Sequence, residues 1–508
     1  MKLFKAFNAI CLLFFTTVSL TTSATPLKNT VYNVRDYGAK GDGTTLDTKT
    51  INATIDAASE AGGGTVYFPA GNYLTGSIHL KSNITLYIDQ GATIVAAGDS
   101  SEYDKPEPAI NDVYQDFGHS HFHNSLIWGE HLHDISIIGG GVIWGKGLVR
   151  SGRAGNNQPN KAIALLLCRN VIIRDITISH GGWFGILATG VDNFTIDNVK
   201  EDTNRDGMDI DCCQNVRVSN CTVNSPDDDG ICLKSSFALG YSRPTQNVTI
   251  NNCQVSAYDE GSLLDGTYRR GHERNTTGRI KFGTESNGGF KNITISNCIF
   301  DYCDGLALET VDGALLEDIA ITNITMRDVT NSPFFIRLGA RMRGPDSIPV
   351  GVCRRIIISN VTIYNAQDSN TGSIISGIPG HDIEDLEMSN IHIYYKGGST
   401  KEMANVKVPE LEKEYPEPGR FKTIPAYGFF IRHVKGLKMH DITISFLNND
   451  ERSPFVLDNV TDAAFRNIDA QKMAQVPLFV LDSVNDFNIK NSIGLKDTQI
   501  KQTKHQSL

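Results

Sequence analysis

The sequence predicts an all-β fold, a parallel β-helix opened by a short helical cap. The first observation behind this is a pattern that returns along the chain. It reads NVIIRDITI at 170–178, NFTIDNVKE at 193–201, NVRVSNCTV at 215–223 and NVTINNCQV at 247–255. It continues as NITISNCIF at 292–300, DIAITNITM at 318–326, RIIISNVTI at 355–363 and GLKMHDITI at 436–444. Each copy is a short run of alternating apolar and polar residues, a polar corner and a second short run. The second observation is the period. The closest copies start 22 or 23 residues apart, which matches one turn of a solenoid of stacked strands. The third is that no helix-period segments separate the copies, which excludes an alternating α/β architecture.

Taken in order, residues 1–24 read as a secretory leader. Lys2 and Lys5 precede an apolar run over 9–20, and small residues lead to Ala24. The run is too short to span a bilayer comfortably, so no membrane anchor is expected. Residues 25–110 form an N-terminal module: a Gly/Asp loop at 38–44, then an amphipathic helix near 47–59 with Ile51, Ile55 and Ala58 on one face. The loop lacks the spacing of a phosphate-binding loop, and the helix is expected to cover the open end of the strand stack. Residues 111–497 are the β-helix body. Its recurrent corner residues Asn198, Asn220, Asn252, Asn297, Asn323 and Asn360 suit a ladder of amides at tight turns. Cys221, Cys253 and Cys298 share one slot of successive repeats, as an interior row of small side chains would. Nine cysteines follow Cys11, an odd number that does not suggest a disulfide framework. The surplus stretches 258–278, 328–354 and about 397–428 read as excursions on the binding side, and 498–508 reads as a disordered tail.

A net charge of -10 over 508 residues argues against general nucleic-acid binding and requires a local basic patch to meet any polyanion. The chemistry concentrates in residues 204–236, NRDGMDIDCCQNVRVSNCTVNSPDDDGICLKSS. Asp206, Asp209 and Asp211 lie one repeat before Asp227, Asp228 and Asp229, so adjacent coils bring the clusters side by side. Carboxylates held together are what glycoside hydrolysis requires: one protonated to donate, one ionised to activate water. An acidic turn or a calcium site of carboxylate oxygens stands beside that reading.

These residues carry a resemblance to glycoside hydrolase family 28, the polygalacturonase family. Its Asn-Thr-Asp-Gly motif appears as Asn204-Arg205-Asp206-Gly207. Its Gly-Asp-Asp-Cys motif with the following Lys-Ser appears as Asp227-Asp228-Asp229-Gly230 and Ile231-Cys232-Leu233-Lys234-Ser235. The resemblance implies a single-stranded right-handed parallel β-helix and hydrolysis with inversion. Asp228 would be the general acid, with Asp206 and Asp229 holding water and Asn204 and Lys234 contributing to substrate binding. Two departures stand out. The family histidine falls at Gly278; His272 in the lengthened loop is a candidate substitute, an ordinary surface-loop histidine being the default reading. Arg279-Ile280-Lys281 spells the family's carboxylate-binding motif one coil early, and the expected coil carries Ala307 and Glu309 instead. Glu309 is expected to accept sugar hydroxyls or pair with an arginine, whereas Arg279 and Lys281, with Arg337 and Arg341, are candidates to hold a uronate, solvated charges or surface salt bridges being the alternative.

The expectation is an exported, periplasmic hydrolase of galacturonate-containing pectic glycans, exo-acting or acting on a rhamnogalacturonan-type backbone. It should act as a monomer and without a cofactor. A calcium-dependent pectate-lyase-like enzyme and a non-catalytic carbohydrate-binding β-helix are the alternatives.

Overall fold

The computed structural model describes residues 30–108, 113–150, 160–271, 276–346, 348–366 and 370–508. The leader expected over 1–24 and His272 lie outside them.

The chain coils into stacked turns whose strands pair in parallel with those of the coils before and after. One column runs from Ile78–His79 through Ile127–Glu130, Ile163–Leu166, Ile186–Thr189, Met208–Asp211, Ile231–Ser235 and Ile280–Ser286. It continues through Leu306–Thr310, Phe334–Leu338 and Ser373–Ser376 into the long strands Ala426–Asn448, Ser453–Ala470 and Phe479–Lys490. We refer to it as the cleft sheet. Two further columns carry the recurring sequence pattern on either side of the polar corner. In-register stacking puts equivalent side chains in rows. Leu165, Ala188, Ile210, Leu233 and Phe282 form one inward row of the cleft sheet, each fully buried. Near the C-terminal end Phe429, Phe455 and Phe479 stack with centroids 5.7 and 4.8 Å apart. The fold is the right-handed parallel β-helix expected from the repeats.

The corner residues behave as a ladder. Each of Asn252, Asn297, Asn323 and Asn360 donates its side-chain amide to the asparagine one coil earlier, over 3.0–3.3 Å. Each also holds φ between 54° and 58°, a left-handed conformation that asparagine tolerates better than most residues. A second ladder, unremarked in the sequence, joins Asn170, Asn193, Asn215, Asn247 and Asn292.

Helix α1 (Thr48–Glu60) lays Ile51, Thr54, Ile55 and Ala58 on the first strands. Asp47, just before it, accepts the N–H groups of Lys40 and Gly41 at 2.8 and 2.9 Å, so the Gly/Asp loop is a structural clasp. Cys221, Cys253 and Cys298 are buried in the row the repeats predicted, and all nine described cysteines are free thiols. The reading of 498–508 as disordered is corrected. Thr498–Ser507 forms a strand that pairs antiparallel with Phe479–Lys490. Its sequence is almost wholly polar, and its order comes from the sheet edge it covers rather than from burial of its own side chains.

Asn297→Ala should destabilise the helix by about 1–2 kcal/mol more than Asn297→Gly, because glycine loses the ladder but keeps the left-handed corner without strain. Urea unfolding of the two variants measures the difference.

Candidate active site

The acids sit where two turns enter the cleft sheet. Met208 pairs with Ile231, and the turns before them are laced together: Gly207 N–H donates to the Asp229 carbonyl at 3.0 Å and Met208 N–H to that of Gly230 at 2.9 Å. The backbones approach so closely that a Cβ at Gly207 would stand 2.5 Å from the Gly230 carbonyl oxygen, and one at Gly230 would stand 2.8 Å from that of Gly278. This column of glycines lets the neighbouring carboxylates converge. One oxygen each from Asp206, Asp228 and Asp229 lies within 4.8 Å of the other two. The Asp229 N–H points between its partners, 3.2 Å from Asp206 Oδ1 and 3.1 Å from Asp228 Oδ1.

Four cations surround the three acids. Arg205 Nε donates to Asp228 Oδ2 at 3.1 Å. Lys234 Nζ stands 3.6 Å from both Asp206 and Asp209 and 3.5 Å from Glu285. Arg279 Nε donates to Asp229 Oδ1 at 2.9 Å, and Lys281 Nζ stands 3.2 Å from its Oδ2. The charges divide the triad. Burial, followed by the Asp228 and Asp209 charges, pushes the Asp206 carboxyl well above the usual range. Burial also acts upward on Asp228, but Arg205, a hydrogen bond with Asp206 and the two lysines outweigh it and hold that carboxyl at about 2. The surrounding charges thus favour the proton on Asp206 and the negative charge on Asp228.

Two segments cross the cleft sheet on either side of the acids. Toward the N-terminal end, residues 113–125 contain a single helical turn, α2 (Phe117–Ser120). Here His119 Nε2 meets Asp209 Oδ2 at 3.1 Å, and Phe122 packs on Phe184, Ala164 and Leu187. Toward the C-terminal end, the excursion 397–425 lays Phe421 and Ile424 on Ala307, Phe335, Ile374 and Phe430. Its Glu417 accepts from Arg279 at 2.9 Å, and its Tyr415 hydroxyl accepts from Thr284 at 2.8 Å. The floor between the crossings is sealed: Asp206, Asp229 and Lys281 are each no more than 3% exposed. Asp228, with 30% of its side chain exposed, faces a side cavity of 660 Å³ whose wall includes Thr277, Asp304, Asn331, Glu417 and Arg420.

The predicted acids, Lys234, Arg279 and Lys281 are thus brought together, and the Asn204 carbonyl ties the two turns by accepting from Asp227 N–H at 3.0 Å. Arg279 and Lys281 bind protein carboxylates and are buried, so the expectation that they hold a uronate is corrected. Arg337 is corrected likewise: it donates to the carbonyls of Glu410 and Leu411 at 2.8 Å and anchors the excursion. Arg341 clasps Asp312, at 3.0 Å through Nε. Among the described residues the ion-pair partner of Glu309 is Lys281 rather than an arginine. Glu309 is fully buried with both oxygens free of hydrogen bonds, 3.7 Å from Lys281. Burial pushes it up to about 8 against the pull of Lys281 and Arg279. The family histidine is excluded from position 278 by the backbone. Gly278 has φ 52°, and a Cβ there would lie 2.2 Å from the Ser256 carbonyl oxygen. Sequence reasoning missed His119, Glu285, Tyr415 and Glu417, which no motif marks. Arg205 lay in plain view inside the first motif.

The N-terminal residues 31–113 match the family model described as rhamnogalacturonase A/epimerase, pectate lyase-like, and residues 112–276 match that for the right handed beta helix region. An exo-poly-alpha-D-galacturonosidase of Dickeya chrysanthemi is 27% identical over 434 residues, covering 72% of this chain and 67% of that protein. A probable polygalacturonase of Vitis vinifera is 26% identical over 383 residues, covering 65% of this chain and 74% of that one. The structure of a family 28 exopolygalacturonase from Yersinia enterocolitica superposes with a TM-score of 0.65 at 19% identity, covering 87% of this chain and 78% of that one, a likeness of fold.

Two outcomes are expected here. Gly278→His should lower the melting temperature and raise no activity, because it strains the glycine column. Glu309 holds its proton in the folded chain from its ordinary 4.5 up to about 8, so its contribution to stability is full below 4.5 and falls as pH rises through that window. Denaturant titrations at several pH values should show Glu309→Gln removing a decline of a few kcal/mol across it. The curated relatives, about a quarter identical over most of the chain, make it similar to the polygalacturonases and exopolygalacturonases, on a fold shared with a family 28 enzyme.

Proposed function

We propose that the protein is an exported, exo-acting hydrolase that cleaves galacturonate-containing pectic glycans with inversion. The observation that carries the hydrolysis is the meeting of Asp206, Asp228 and Asp229, each offering an oxygen within 4.8 Å of the others, beside a cavity flanked by two crossings of the cleft sheet; inversion is taken from the resemblance to family 28 and not from this spacing. A groove of that kind suits the end of a chain; endo-cleavage requires sugars to run through. Thr277, Asn331 and Asp304 offer hydroxyl partners in the wall, and burial raises Asp304 to about 7. Such a wall favours a neutral sugar across the scissile bond, as in a rhamnogalacturonan-type backbone. Residues 1–24, with the features of a leader, support export, and a bacterial periplasm is the compartment we propose.

One proton serves the mechanism. It passes from Asp206 to Asp228 across their hydrogen bond, leaving Asp206 ionised. Asp228 then protonates the glycosidic oxygen as the C1–O bond breaks. Water held by Asp206 and Asp229 attacks C1 from the opposite face and gives its proton to Asp206. The alternative, calcium-dependent elimination, would place the metal among carboxylates that Lys234, Lys281, Arg279 and Arg205 already neutralise.

The protein is expected to release saturated monosaccharide from the ends of oligogalacturonides or rhamnogalacturonan fragments, with or without chelator, and proton NMR should show the inverted anomer first. Asp228→Asn should lower kcat by about 10²–10⁴-fold while ligand affinity persists. A rapid fall in the viscosity of polygalacturonate, or unsaturated products sensitive to chelator, would overturn the reading.

A further inference from the structure

Arg205 stands where the family motif carries threonine, and the site explains what a guanidinium does there. Its plane lies over the Trp183 ring with Cζ 3.5 Å from the centroid, a cation–π stack that fixes its direction. Only Nε is hydrogen-bonded, to Asp228 Oδ2 at 3.1 Å. Among the described residues the two Nη groups make no hydrogen bond, and the nearest acid on that side, Asp116, is 3.9 Å from Nη2. The side chain is 23% exposed. Arginine presents a rigid fork of donors matched to a carboxylate, and this fork has unspent donors beside the reactive acid. The other cations around the triad have no such freedom: Arg279, Lys281 and Lys234 are buried against Asp229, Glu309, Glu417, Asp206, Asp209 and Glu285. Arg420 is the cation in the wall of the cavity that Asp228 faces, and Arg205 stands behind Asp228, outside that wall.

We propose that Arg205, held by Trp183, is the specificity-determining receptor for the carboxylate of the substrate's uronic acid, binding it in competition with Asp228. This rests on the proposed hydrolysis of a uronide at the same site. A sugar carboxylate engaging the fork replaces Asp228 as counter-ion. Asp228, relieved of the charge that holds it ionised, can then take the proton from Asp206. A neutral sugar leaves the resting pair undisturbed, so the acid is armed by the group that identifies the substrate.

The test compares wild type, Arg205→Thr, Arg205→Lys and, as a control, Arg420→Ala. Calorimetry with galacturonate and galactose measures affinity, and kcat/KM is measured on an oligogalacturonide and on its C6 methyl ester. Wild type should bind galacturonate far better than galactose. Arg205→Thr should reduce galacturonate affinity and the preference for the free acid by about 100-fold, and the ester rate should rise rather than fall, because Asp228 loses the charge that holds it ionised. Arg205→Lys, which keeps the charge without the fork, should fall between. If Arg205→Thr slows acid and ester equally and leaves the galacturonate-to-galactose ratio intact, Arg205 only positions Asp228 and the proposal fails. Loss of the preference in Arg420→Ala alone, or no galacturonate binding by wild type, also overturns it. Galacturonate binding through Arg205 without hydrolysis of any glycan would instead overturn the proposed function and leave the receptor standing.

Discussion

Adjacent coils of a parallel β-helix lie about 4.8 Å apart, and this spacing governs the rest of the molecule. It stacks like on like, which makes the interior rows of Leu165, Ala188 and Ile210 and the amide ladder of Asn252 and Asn297 self-reinforcing. The same spacing is hostile to charge. Acids at matching turns of two coils are forced within a hydrogen bond or two of one another, and Asp206 and Asp228 meet on those terms. The glycines at 207, 230 and 278 tighten the approach further. A shared proton and four neighbouring cations offset the crowding of these carboxylates.

The crossings of the cleft sheet have a similar logic. An outward face of Leu187, Ala307, Phe335 and Ile374 is too apolar to be left in water, and the two segments that cover it do so with Phe122, Phe421 and Ile424. Between the crossings the face turns ionic, with Asp209 and Lys281 at positions that are apolar on either side. Burial of the apolar flanks thus sets how much of the sheet is left to a ligand. Buried arginines assist: Arg337 and Arg432 donate to the carbonyls of Val408, Pro409, Glu410 and Leu411 and give irregular backbone the partners it lacks.

The repeats were legible because each coil must present the same alternation and the same corner to its neighbours. The acids were legible because their motifs sit one period apart. What escaped was set by the paths of long connections. His119 reaches Asp209 across 90 residues, and Glu417 reaches Arg279 across 138, with no local pattern to announce either. Arg337 looked free because sequence does not show which loop will fold over it. The strand Thr498–Ser507 looked disordered because its partner is a sheet edge, and nothing in its own composition records that edge.

That last strand has a consequence for assembly. A stack of parallel coils has polarity, and its final edge offers the same chain sense that its first coil would accept. Left bare, it would invite another copy to continue the winding end to end. Reversing direction once, in a strand whose exposed residues include Lys501 and Lys504, presents the wrong polarity and a charged rim together. The edge formed by Thr498–Ser507 thus disfavours end-to-end stacking of copies on the parallel coils.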